Sequence, residues 1–130
     1  MRHEDWPERL AGKLREWNDK PFVWGETDCV MFIVEVAQAI SDQQITVRKQ
    51  GQYTTERGAL KQIKSFGADL AELVTLRFGE PIARNFAQRG DLLMHGNNLG
   101  ICIGPAGVFR TPEGLVYIDL SDCSRAWKVD

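Results

Sequence analysis

Histidine is nearly missing from this chain, which has only His3 and His95. The cysteines are also few: Cys29, Cys102 and Cys123 follow no zinc or redox spacing, so a Cys/His metal site would need distant residues to converge. No metal and no cofactor is expected. Three cysteines cannot all pair within one chain, so at least one thiol is free. Long apolar runs are absent as well. The longest, Val30 to Val34, is far too short to span a bilayer, and the polar start Met1-Arg2-His3-Glu4-Asp5 lacks the basic and apolar regions of a signal peptide. These absences predict a protein made in the cytoplasm, without stable membrane insertion. Charge of one sign is scarce too. With a net charge of -2, scattered Lys and Arg, and no aromatic residues interleaved with arginines, nothing draws the chain to nucleic acid.

What is present is an ordinary globular balance, 43% apolar and 26% charged, over a length of 130 residues that fits one domain spanning 1–130. A first helix is predicted from near Pro7, with Trp6, Leu10, Leu14 and Trp17 on its apolar face. A second is predicted through about Ile40, capped by Thr27 or Asp28, with Val30, Ile33, Val34, Ala37 and Ile40 as a buried stripe. A third is expected from Thr54 or Thr55 to Gly67, and a fourth after Asp69 with Leu70, Leu73, Val74 and Phe78 on one side. From Gly90 the period changes to that of strands. Asp91 to His95 and Leu99 to Gly104 form a hairpin across Gly96-Asn97; Val108 to Thr111 and Leu115 to Asp119 form a second across Pro112-Glu113-Gly114. Ala126 to Val129 reads as an edge strand or a strap. Helices first and strands later predict an α+β fold, with the central helix packed on a C-terminal antiparallel sheet.

The chemistry concentrates at Cys29, in the first turn of the second helix. A thiol is a nucleophile only as a thiolate, and a helix N-terminus favours that form through its free N–H groups and aligned peptide dipoles. The same amides could receive an oxyanion. Asp28 opposes the thiolate if its carboxylate lies near the sulfur, and caps the helix if it turns to the amides. A small buried hydrophobe is the alternative role for Cys29.

The segment Pro21-Phe22-Val23-Trp24-Gly25-Glu26-Thr27-Asp28-Cys29-Val30-Met31-Phe32 resembles the nucleophile motif of the NlpC-like, papain-fold cysteine peptidases. Arg89-Gly90-Asp91-Leu92-Leu93-Met94 is similar to the Gly-Asp strand that opens that family's sheet, and Asn98-Leu99-Gly100-Ile101-Cys102-Ile103-Gly104 to the strand after it. The resemblance implies a papain-like fold. It also implies hydrolysis of amide bonds in bacterial cell-wall peptides, with Cys29 attacking the carbonyl and a histidine activating it. Short chains of this kind resemble small proteins of phage or prophage tail modules. Peptidoglycan peptides and phage tail proteins are therefore the implied partners, and synthesis in the bacterial cytoplasm with incorporation in the virion tail the implied location.

One departure bears on activity: the family's histidine position is occupied by Asn98, which cannot take a proton from Cys29 near neutral pH. His95 offers a replacement, since a two-residue turn at Gly96-Asn97 would oppose His95 to Asn98 on one face of the sheet. An ordinary hairpin histidine is the other reading. The family's third polar group would fall near Arg110 or Thr111. Trp24 could line a substrate cleft or pack on the central helix, and Asp28 borders the same cleft. Cys102 reads as a small core residue beneath the helix, and Asp91 as a structural carboxylate more than a catalytic one. A thiol peptidase or amidase using Cys29, His95 and Asn98, an inactive papain-fold tail component, and another thiol-dependent activity such as acyl transfer are the functions this sequence supports.

Overall fold

The computed structural model describes residues 1–23, 28–43 and 70–130. The helix expected from Thr54 or Thr55 to Gly67, its neighbour Asp69, and Trp24 lie outside them. Three helices stand among the described residues, α1 (Trp6–Asn18), α2 (Cys29–Ile40) and α3 (Leu70–Phe78). They are followed by five strands: β1 (Leu92–His95), β2 (Asn98–Cys102), β3 (Ala106–Thr111), β4 (Gly114–Asp119) and β5 (Arg125–Trp127). The chain is therefore α+β, and its sheet is antiparallel throughout in the order β4-β3-β2-β1-β5. No helix among the described residues is long and apolar enough to cross a membrane.

α1 starts with Pro7 in its first turn, where the missing N–H costs nothing, and buries Leu10 and Trp17 completely. α2 is the most apolar helix. Asp28 caps it by accepting the Met31 N–H at 3.1 Å, and the helix then buries Met31, Phe32, Ile33, Val34, Val36, Ala37 and Ile40. Such a helix is stable only inside a core, because each large apolar side chain withdrawn from water contributes about 1.5–3 kcal/mol.

The sheet has two working faces. Leu92, Met94, Leu99, Ile101 and Val108 point to the α2 side, joining Phe32, Val36 and Trp17 in the main core. The alternate residues Leu93, Cys102 and Phe109 point the other way, forming a smaller core with Cys123 and Ala126. Two 3₁₀ turns, Arg84–Phe86 and Leu120–Asp122, flank this second core through Ile82, Ala87, Ile118 and Leu120. Cys102 thus lies on the face turned from α2, which corrects its expected place beneath the helix. Larger Leu99 and Ile101 take the helix side, and the small positions Gly100, Cys102 and Gly107 make room for the Phe109 ring: a Cβ on Gly100 would sit 2.5 Å from the Val108 carbonyl oxygen and 2.6 Å from that ring.

The first hairpin turns at Gly96, whose φ of 59° suits the two-residue turn between His95 and Asn98. The second is tighter than expected, with Pro112 and Glu113 as the turn and Gly114 already paired to Thr111. β5 is an edge strand beside β1, its other side bridged by Ile82 to Ala126.

Asp91 fastens the two ends of the chain. Completely buried, it accepts Arg2 Nη2 at 2.7 Å, the Val129 N–H at 3.2 Å and the Gln88 N–H at 2.9 Å, with Lys128 Nζ 3.2 Å away. Arg2 also donates to the Val129 and Arg89 carbonyls and lies 4.4 Å over the Trp6 ring. A buried carboxylate with this many partners is structural, as expected.

Candidate functional site

Cys29 opens α2, and its sulfur is directed to the start of β2. The backbone amides of Leu99, and of Cys29 and Val30 at the helix N-terminus, lie near enough to favour its charged form. Amides near a thiol favour the thiolate and would also suit an oxyanion. They do not prevail here. Burial is the strongest influence on the sulfur and the Asp28 carboxylate adds to it, so the thiol is pushed up from its ordinary 9.0 to about 11. At neutral pH Cys29 is a protonated thiol.

Asp28 has the second of the two roles set out above as well as the first. It is buried and caps α2 through Met31, yet its charge still acts on the neighbouring sulfur. Asn98 is exposed, and it is the backbone of its neighbour Leu99 that acts on the thiol.

His95 is opposed to Asn98 across the hairpin. The face they share, however, is the wrong one for catalysis. Strand alternation places Leu92 and Met94 on the α2 side and Leu93 on the other, and His95 follows Leu93. Its ring packs edge-on against Phe109 at 6.1 Å between centroids, and its Nδ1 lies 3.1 Å from the Asp122 carbonyl oxygen. The imidazole is thus held on the side of the sheet turned from Cys29, and the structure does not bring the two together. His3 is no substitute. Its N–H donates to the Ile40 carbonyl at the far end of α2, about 16 Å of helix from Cys29.

Arg110 is the site residue that sequence reasoning undervalued. It returns to the α2 side after Phe109, is 2% exposed, and donates to the Trp17 carbonyl at 3.3 Å and the Lys20 carbonyl at 2.6 Å. Its guanidinium also lies 5.6 Å from the Phe22 ring, and burial lowers its pKa. Arg110 therefore anchors the end of α1 and the chain that leads to Cys29, rather than orienting an imidazole. The signal was a lone arginine inside the apolar strand pattern of β3, opposite a helix end with carbonyls to satisfy. Thr111 is a turn residue: its hydroxyl accepts the Glu113 N–H at 3.2 Å and donates to the Gly114 carbonyl at 3.0 Å.

Among the described residues, no group of three His, Cys, Asp or Glu side chains is placed to hold a metal ion. The family profile described as Domain of unknown function (DUF6950) matches residues 1–129. The chain belongs to that family. A search of the curated proteins and of the solved structures returned no match.

Proposed function

We propose that this DUF6950 chain is a papain-like domain of the NlpC type that has given up hydrolysis at Cys29 and serves as a structural or adaptor component of a phage or prophage tail. The observation that carries the reading is the side of the sheet on which His95 lies. The whole sequence holds only two histidines, one behind the sheet and the other at the opposite end of α2, so neither can take the Cys29 proton. A thiol raised to about 11 cannot compensate by ionising unaided.

The tail context rests on the resemblance of the 21–32, 89–94 and 98–104 segments to the NlpC motifs. The test compares a prophage deleted for this chain with one carrying Cys29→Ala. The expected result is loss of infectious tails in the deletion and normal tails in the variant. Release of wall peptides by the purified protein, abolished by Cys29→Ala, would overturn the proposal.

A second reading, the thiol peptidase or amidase acting on peptidoglycan peptides, is favoured by one specific observation: the backbone amides of Leu99, Cys29 and Val30 lie near the sulfur and favour its charged form. It would require a base other than histidine.

A further inference from the structure

The sheet order leaves two edges, and they are finished differently. β5 is three residues long and is covered by the Ile82 bridge. β4 is six residues long, and no described strand pairs with its outer side. Its register with β3 runs without a bulge from Thr111 opposite Gly114 to Ala106 opposite Asp119. Because a two-residue turn makes its flanking pair the first hydrogen-bonded one, Gly114, Val116 and Ile118 bond toward β3. Leu115, Tyr117 and Asp119 then direct their N–H and C=O groups outward.

Free edges are normally blunted by lysine, proline, a bulge or a covering segment, since an open one is a template for another strand. Residues 115–118 are Leu, Val, Tyr and Ile, with no lysine, proline or bulge and no covering strand among the described residues, and Val116 and Tyr117 stand 38% and 64% exposed. The charges lie only at the ends. Exposed Glu113 precedes the strand and exposed Asp119 ends it, and neither carboxylate joins an ion pair among the described residues.

We propose that the outer edge of β4 is a docking site for an extended segment of another protein, uncharged through its middle and basic at both ends. The segment would add a sixth strand, its main chain bonding Leu115, Tyr117 and Asp119 while its terminal Lys or Arg side chains meet Glu113 at one end and Asp119 at the other. A second copy of this chain does not suit the edge. An antiparallel pair of β4 strands centred on Tyr117 would set Glu113 of each copy beside the acidic end of the other, and like charges across a strand pair are destabilising. The surface is two strands away from the β2 peptide that meets Cys29, so it does not depend on what the thiol does.

The test uses two synthetic peptides with the same alternating valine and threonine centre, one with lysines at both ends and one with glutamates, titrated into the whole protein and followed by amide NMR shifts and hydrogen exchange. Expected are protection of the Leu115, Tyr117 and Asp119 amides by the lysine peptide and affinity for the glutamate peptide lower by about tenfold or more. Tyr117→Pro, which removes an outward N–H, is expected to weaken binding about fivefold or more. Should that variant fail to fold, N-methylation of alternate peptide amides is expected to abolish binding to the unaltered protein. Protection elsewhere, equal affinity for the two peptides, indifference to N-methylation, or dimerisation of the protein through β4 would each overturn the proposal.

Discussion

Labelling of Cys29 with iodoacetamide gives the sharpest test of how this site is built. Only the thiolate reacts, so the rate follows its population. With an ordinary value of 9.0, about a tenth of the thiol would be ionised at pH 8; at the value of about 11 imposed by burial and Asp28, about a thousandth is. The rate at pH 8 should therefore be about 100-fold below that of an unperturbed thiol of equal access, and should rise about tenfold per pH unit toward pH 11. Restricted access lowers every point alike and leaves this slope unchanged. Peptide-resolved mass spectrometry of the folded protein separates Cys29 from Cys102 and Cys123. Asp28→Asn supplies the companion experiment, since an amide oxygen can still cap Met31 but carries no charge, and the inflection should move down. A rate that levels off below pH 8 in the unaltered protein would refute the reasoning, because it would show a thiolate poised for nucleophilic work.

Replacing Asp91 with alanine leaves Arg2 and Lys128 without their shared carboxylate and the Val129 N–H without an acceptor, and should cost about 3–5 kcal/mol in urea unfolding. Gly100→Ala places a methyl 2.5 Å from the Val108 carbonyl oxygen and against Phe109, so a loss of about 1–3 kcal/mol is expected, read as a lower thermal midpoint. Stability should also fall in alkali. Burial raises the thiols of Cys29, Cys102 and Cys123, so the folded chain retains protons that the unfolded chain releases. The contribution is complete below the ordinary thiol value of 9.0 and is lost as pH climbs through the raised values; a denaturation midpoint that does not fall above pH 9 would contradict this.

The periodic elements were legible because their side chains report their own burial. Leu10 and Trp17 announced α1, and Asp28 followed by an apolar stripe announced α2 and its start at Cys29. The hairpin pairing of His95 with Asn98 followed from the length of the Gly96-Asn97 turn alone. What alternation could not convey was which face of the sheet meets the helix. It divides Leu92 and Met94 from Leu93 and His95, but the choice between them depends on tertiary packing, where Leu99 and Ile101 fill the space against α2 and Phe109 fills the space over Gly100 and Gly107. The same choice decided both Cys102 and His95. Arg110 was hidden for a related reason, because its partners are carbonyls of a helix end distant in sequence. Its burial is therefore set by tertiary contacts that the local strand pattern does not record.

The clasp at Asp91 also has a mechanical meaning. Arg2 Nε bonds the Val129 carbonyl at 2.7 Å, so the two ends of the described fold are joined directly to each other rather than through the sheet. A tension applied between them would meet the Arg2, Asp91 and Val129 bonds together with the His3–Ile40 and Met1–Asp42 bonds that tie the start of the chain to the end of α2. Under such a load, those few polar bonds would act as a latch that resists separation of the two ends before any strand of the sheet is drawn out.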